Sequence, residues 1–318
     1  MEASLDRTQT SVRLAPRRRR IDRDRLLALI LISPSLAAVA VFVYGFIGWT
    51  GWAALSRWDD IVPDFTFVGA RNFERLFANP RFQQDLTNTA VFTVAFVIGC
   101  VLVGMGLAIL LDQKIRGESI FRNIFLFPMA VSFIVTGVVW RWLENPSSGI
   151  NKILDVTVNP VLGWVGLAPL HPGWFIDPNI GILGVVLAAA WQMSGYIMAL
   201  YLAGLRSIPD ELREAARVDG ATEVGIYRHI ILPLLNPITL SAVIILGHIS
   251  LKIFDLTSAM TGQGPGFIDD VPAYFMFITV FQGNHFAQGA AIAIILLIGV
   301  SVLVVPYLVY SVKTETER

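Results

Sequence analysis

The chain has 318 residues, of which 55% are hydrophobic and only 15% charged, with 24 basic and 24 acidic side chains. Soluble domains run nearer to about 45–50% apolar and about 25% charged, so this is the composition of a membrane protein. Zero net charge offers no overall field for nucleic acid. A single cysteine, Cys100, excludes an internal disulfide, and His171, His229, His248 and His285 are too scattered for a metal site.

A bilayer-crossing helix needs about 20 mostly apolar residues. Six stretches qualify: residues 26–55, 86–111, 120–143, 180–205, 234–260 and 287–310. The first follows a basic tail, "RRRRIDRDR", as a secretory signal would. Its apolar run is too long for that, and "WTGWAALSRW" after it reads as an interfacial aromatic belt. The third ends at Arg141, and the fifth contains Lys252 and Asp255.

Basic residues in the connections orient the spans. Arginines crowd the N-terminal tail. Lys114, Arg116 and Arg122 surround the second connection, and Arg206, Arg213, Arg217 and Arg228 the fourth. Lys313 and Arg318 lie at the C-terminus. Between the third and fourth spans only Lys152 is basic, and residues 261–286 have no Lys or Arg. The first outer connection departs from the pattern, with Arg57, Arg71, Arg75 and Arg81. The remaining segments place both termini in the cytoplasm. The expected fold is an all-α integral membrane protein with six transmembrane helices. A basic tail (1–25) precedes the membrane domain (26–312), and a short tail (313–318) follows it. The outer segment between spans three and four mixes Pro/Gly turns with an apolar patch suited to lie flat at the interface.

Between spans four and five, at 207–233, lies a charged stretch, "SIPDELREAARVDGATEVGIYRHIILP". Ser207, Pro209 and Asp210 mark a helix start, with Asp210 and Glu211 at the positive end of its dipole. Gly220 ends that helix as a left-handed glycine does. Thr222 caps a second helix, and Pro233 is expected to close it. Two short helices at an angle make a protruding hairpin. A solvated amphipathic linker on the membrane is the plainer interpretation, but it does not account for the small-residue face and the glycine break.

Span five carries His248, Lys252 and Asp255 at i, i+4 and i+7. Ionisable residues within a span are functional candidates. On one continuous helix these three share a face, so Lys252 and Asp255 are expected either to neutralise each other or to contact substrate. Span four offers Trp191, Gln192, Ser194 and Tyr196: an aromatic face beside polar groups able to hydrogen-bond a substrate. No lysine follows a glycine, so the chain has no phosphate-binding G-x-x-x-x-G-K-[ST] motif. No nucleophile elbow or metal cluster suggests an enzyme. No broken-helix pair or inverted repeat is visible, which weighs against the alternative of a cation-coupled secondary transporter.

"EAARVDGATEVGIYRHIILP" resembles the cytoplasmic signature of ABC importer permeases: Glu214, Ala215, Ala216, Asp219, Gly220, Ala221, Ile230, Leu232 and Pro233 match it. "FRNIFLFPMAVSFIVTGVVWRWLENPSSGIN", "WQMSGYIMALYLAGLRSIPDEL" and "IFDLTSAMTGQGPG" resemble carbohydrate-type permeases of the maltose/glycerol-phosphate class. The likeness covers roughly residues 26–312. It implies a non-enzymatic subunit of a bacterial or archaeal cytoplasmic membrane importer, with 207–233 as a coupling-helix hairpin. The implied partners are a second permease, two copies of an ATPase that holds ATP and Mg, an extracytoplasmic sugar-binding protein and membrane lipid. This chain would bind no cofactor. "TGQGPGFIDDVPAYFMF" is most similar to glucose/mannose-type permeases, and the chain has no room for the added outer domain of some disaccharide permeases.

Overall fold

A computed structural model describes residues 23–113, 115–178 and 180–316. Most of the basic tail, Lys114 and Arg318, which enter the orientation reading, lie outside the described residues. The chain divides into two compact units at Trp49/Thr50. The first holds α1 (Arg23–Val39) and the start of α2 (Phe46–Ala54), joined by a π-helical turn at Ala40–Gly45. Its apolar side chains from Leu27 onward are exposed, as expected of a helix bathed by lipid.

The second unit is helical throughout its regular structure. After α3 (Arg71–Phe77) comes α4 (Pro80–Asp112), then α5 (Glu118–Leu126) and α6 (Phe133–Leu143). Short helices α7 (Ile150–Thr157) and α8 (Asn159–Trp164) lead to α9 (Gly181–Ser207). The 207–233 segment forms α10 (Asp210–Val218) and α11 (Glu223–Ile226), continued by a π-turn and α12 (Leu232–Leu234). Then follow α13 (Asn236–Leu251), α14 (Asp255–Met260), α15 (Pro272–Phe281) and α16 (Phe286–Thr316). The only strand-like pairing among the described residues is one antiparallel bridge, Ser56 with Phe67.

The most extensive packing is α4 against α9. Phe92, Phe96, Cys100, Gly104 and Ala108 recur every fourth residue on α4, so they form one buried row. Lipid tails are as apolar as these side chains, so close van der Waals fit must hold the pair together. Gly104 shows how tight the fit is: a Cβ there would meet Ile197 Cγ2 at 2.7 Å.

Among the described residues, four helices are long and apolar enough to cross a membrane, and the count reaches six if two bent pairs each count as one span. The bends correct the expectation of unbroken helices. The third span turns by 99° between Ala130 and Phe133. Pro128 sits in a tight 3₁₀ turn, Val131 is extended, and the Ser132 hydroxyl accepts from Val135 N–H at 3.3 Å to start a new helix. The fifth bends by 61° at Leu235, just before the Asn236–Pro237 pair. It breaks again after Leu251, where Lys252 and Phe254 leave helical geometry. The hairpin's second helix also runs past Pro233 to Leu234, so Pro233 does not close it.

Candidate functional site

The hairpin is tied to the bundle on one side and free on the other. Pro209, not Ser207 or Asp210, occupies the cap position of α10, with no side-chain cap bond, and Asp210 lies in the first turn. Ser207 instead donates to Gly204 O at 2.7 Å. Gly220 has φ +82°, and Ala221 N–H reaches back to Ala216 O at 3.0 Å, the reversed turn that only glycine enters without strain. Thr222 Oγ1 accepts from Gly225 N–H at 3.2 Å, as expected of its cap position. Arg217 pairs with Glu223 across the turn at 2.6 Å.

Ala216, Ile226 and Ile231 are the buried anchors. Arg213 is the polar one. It donates to Asp112 at 2.9 Å and to Leu205 O at 3.4 Å, so α10 is fixed to the ends of both α4 and α9. Sequence reading missed the pairing of Arg213 with Asp112, because 101 positions separate them. A cavity of about 710 Å³ opens beside this latch, lined in part by Asp112, Arg213, Glu214 and Glu223. Glu214, Ala215, Asp219, Gly220, Ala221 and Pro233 are exposed, while Ile230 and Leu232 are partly covered. Val218 and Val224 project at the tip, 87% and 77% exposed. The hairpin therefore presents an apolar, small-residue surface flanked by carboxylates.

The span-four and span-five candidates separate. Gln192 is buried and donates to Val131 O at 2.6 Å, bracing the bend in the third span. Ser194 is buried and bonded to Ala190 O, and Tyr196 is half-buried. Trp191 faces outward, with its ring 6.0 Å from that of Trp140. Adjacent helix positions diverge by about 100°, so Trp191 and Gln192 do not act as one surface. Lys252 and Asp255 do not share a helix face either. Lys252 ends α13, Asp255 begins α14, both are exposed, and no ion pair joins them among the described residues. His248 is half-buried on α13. Beyond the break is a ring cluster in which Phe254 lies 6.2 Å from Tyr274 and 5.3 Å from Phe277.

At the end of α4 and α9 away from the hairpin, four carboxyl groups are fully buried: Asp85, Glu144, Asp269 and Asp270. Arg81 bonds Asp270 at 2.7 Å and stacks over the Phe267 and Phe275 rings at 4.6 and 4.5 Å. Asp85 lies close to Asp270, and neither of its carboxyl oxygens has a hydrogen-bond partner among the described residues. Asn88 donates to the carbonyls of Phe267 and Asp270 at 2.9 Å each. Glu144 and Asp269 face each other's charge with no hydrogen-bond donor among the described residues. Burial, then the Asp270 charge, pushes Asp269 up to about 7. Burial, then Asp269, pushes Glu144 up to about 8. Glycines make room for them: a Cβ at Gly184 would meet Glu144 Oε2, and one at Gly181 would meet Asp269 Oδ1, each at 2.5 Å. Sequence reading passed over these acids because three of them lie in connections, where a carboxylate is usually solvated.

Residues 101–314 match the family described as binding-protein-dependent transport system inner membrane component. The chain belongs to that family. The permease is 40% identical over 287 residues to a probable ABC transporter permease of Pyrococcus horikoshii, covering 90% of this chain and 96% of that one. It is 36% identical over 277 residues to the xylose/arabinose import permease XacH of Haloferax volcanii, covering 86% and 84%. Its fold resembles the crystal structure of a bacterial ABC transporter that imports the acidic polysaccharide alginate, with TM-score 0.71, 22% identity and coverage of 90% and 94%. Among the described residues no cluster of three or more His, Cys, Asp or Glu side chains is arranged to hold a metal.

Proposed function

We propose that this permease is one of two membrane subunits of an ATP-driven carbohydrate importer, and that its 207–233 hairpin takes the stroke of a separate ATPase. The observation that carries this is the two-sided hairpin. Arg213 and the buried Ile226 and Ile231 grip the bundle, while Val218, Val224 and the exposed alanines offer a docking face. Exposed Glu214 and Asp219 then meet basic groups on the ATPase. A push on the tip passes through the Arg213–Asp112 contact to α4, and through Leu205 to α9. ATP and Mg belong to two ATPase copies, and an outer sugar-binding protein docks at the far end of the bundle. Six spans result when each bent pair crosses once, with both termini on the ATPase side.

A carbohydrate cargo is supported by relatives named for xylose/arabinose, trehalose/maltose and sulfoquinovosyl glycerol transport. A monosaccharide such as glucose or mannose is the finer reading, supported by the 261–277 stretch. The sugar path runs along the outward Trp191 and the break at 252–254, which His248, Lys252 and Asp255 flank in the chain and where Phe254 joins the Tyr274 and Phe277 rings. The broken spans also suit a cation-coupled carrier, but no ion pair joins Lys252 and Asp255 among the described residues to act as an ion relay, and the family works with an ATPase.

The test uses the assembled complex in proteoliposomes. Glu214→Lys and Gly220→Pro are expected to assemble normally and lose sugar-stimulated ATP hydrolysis and uptake. Retained coupled transport in both variants removes the hairpin from the coupling role. Lys252→Met is expected to change uptake KM for at least one sugar in a panel without changing assembly; unchanged kinetics throughout remove it from the path.

A further inference from the structure

The segment between α6 and α9 is built in two layers. Asn151, Asp155 and Asn159 stand four residues apart and form one polar stripe. Each is stitched to the returning chain at 170–174. Asn151 donates to Pro172 O at 3.2 Å and accepts from Trp174 Nε1 at 2.8 Å. Asp155 bonds His171 at 2.7 Å. Asn159 accepts from Leu170 N–H at 2.7 Å. The inner stripe is thereby used up. The opposite stripe of α7–α8 and the turn after it hold Ile153, Val156, Val161, Trp164, Val165 and Leu167, all exposed, with Trp164 97% exposed. No described part of the second unit covers them.

We infer that this outer stripe of α7–α8 lies in the lipid headgroup region as a membrane-interface anchor. Its location is set covalently. It leaves α6 at Leu143 and re-enters at Gly181, the end of α9 about 40 Å from the hairpin by helix rise. That end is where the membrane-spanning helices stop. The stripe has one hydrogen-bonding side-chain group, the indole N–H of Trp164. A protein interface carries about one hydrogen bond per 100–200 Å², whereas an interfacial helix needs an apolar face and an amphipathic ring at headgroup depth. Lys152, the one basic residue of the segment, flanks the stripe and is exposed, within reach of lipid phosphates. The anchor holds the polar inner layer, and with it the Leu143–Gly149 turn beside buried Glu144, at constant depth.

The experiment labels Trp164→Cys with a nitroxide in a Cys100→Ser background, within the assembled complex in phosphatidylcholine/phosphatidylglycerol nanodiscs. Collisions with lipid-soluble oxygen are expected to exceed those with a water-soluble nickel chelate by several-fold, with and without the sugar-binding protein. Nickel access that disappears when the binding protein is added overturns the lipid assignment in favour of that protein. Exclusion of both reagents overturns it in favour of a neighbouring subunit. If Cys100→Ser fails to fold, brominated lipid on the natural chain gives the same decision. Trp164→Phe should then remove part of the quenchable tryptophan emission, and an unchanged quenchable fraction refutes the anchor.

Discussion

The two ends of the α4–α9 pair handle charge in opposite ways. At the hairpin end, acids and bases alternate and pair: Asp112 with Arg213, Glu118 with Arg206, Glu223 with Arg217, most of them partly open to water. At the far end, four carboxyls are buried, and the half-buried Arg81 pairs with one of them, Asp270. A surface that must dock and release benefits from charges that water can re-solvate. A buried excess of acid is tolerable only with retained protons or an unusually well-held cation. The difference suggests a movable end and a rigid one.

The sharpest way to break that contrast is Arg81→Met. It strands Asp270 and Asp85, and losing one partner of a buried pair typically costs about 3–5 kcal/mol. Yield and thermal unfolding in detergent should both collapse, while Arg81→Lys should recover part of the loss. A normal unfolding temperature for Arg81→Met would show that protons alone neutralise the acids.

Next comes pH. Asp269 and Glu144 are raised to about 7 and about 8 in the folded state. Between ordinary carboxylate values and these, the folded protein holds more protons than the unfolded chain. The stability from these groups is therefore fully present below about pH 4, and is lost progressively as pH rises from there through about 7–8. The full loss is roughly 4–5 kcal/mol for one such group acting alone, and less than additive for two that interact. Unfolding temperature should fall between pH 5 and pH 8.5, and Asp269→Asn with Glu144→Gln should flatten the curve. An equally steep curve in the double variant assigns the effect elsewhere.

Arg213→Ala should act locally. Removing a half-buried charged hydrogen bond costs about 1.5–3 kcal/mol, here borne by the hairpin. Faster hydrogen exchange across residues 207–233 is expected, with the α4–α9 core unchanged. Asp112→Asn should do the same, and the double variant should be no worse than either single one. Additive losses would mean that the two residues do not act through each other. The smallest effect belongs to Arg217→Ala. Its ion pair is fully solvated, so unfolding should not change measurably; a clear shift would show that this end is less open to water than its exposure indicates.

Much of this was legible in the sequence. Span positions depend on runs of apolar residues, which are local, and the helices at Leu27–Ala54 and Gly181–Ser207 fall close to the expected limits. The Gly220 turn and the Thr222 cap are equally local, each being fixed by one residue's backbone or side-chain chemistry. The bends were less visible. Pro128 and the Asn236–Pro237 pair permit a break, but a proline within a membrane helix often leaves only a kink. Lys252 and Asp255 misled because helical spacing was assumed across a point where the helix stops.

Composition, span placement, the hairpin and its family signature were determined by the sequence itself, because each rests on residues within a few turns of one another. Tertiary structure alone decided the rest. It brought Asp112 to Arg213 and Arg81 to Asp270, contacts 101 and 189 positions apart. It sent Gln192 inward to Val131 and Trp191 outward, and it enclosed Glu144 and Asp269 against the glycines of α9. Whether a carboxylate is solvated or sealed depends on which distant helix covers it, and no local pattern encodes that.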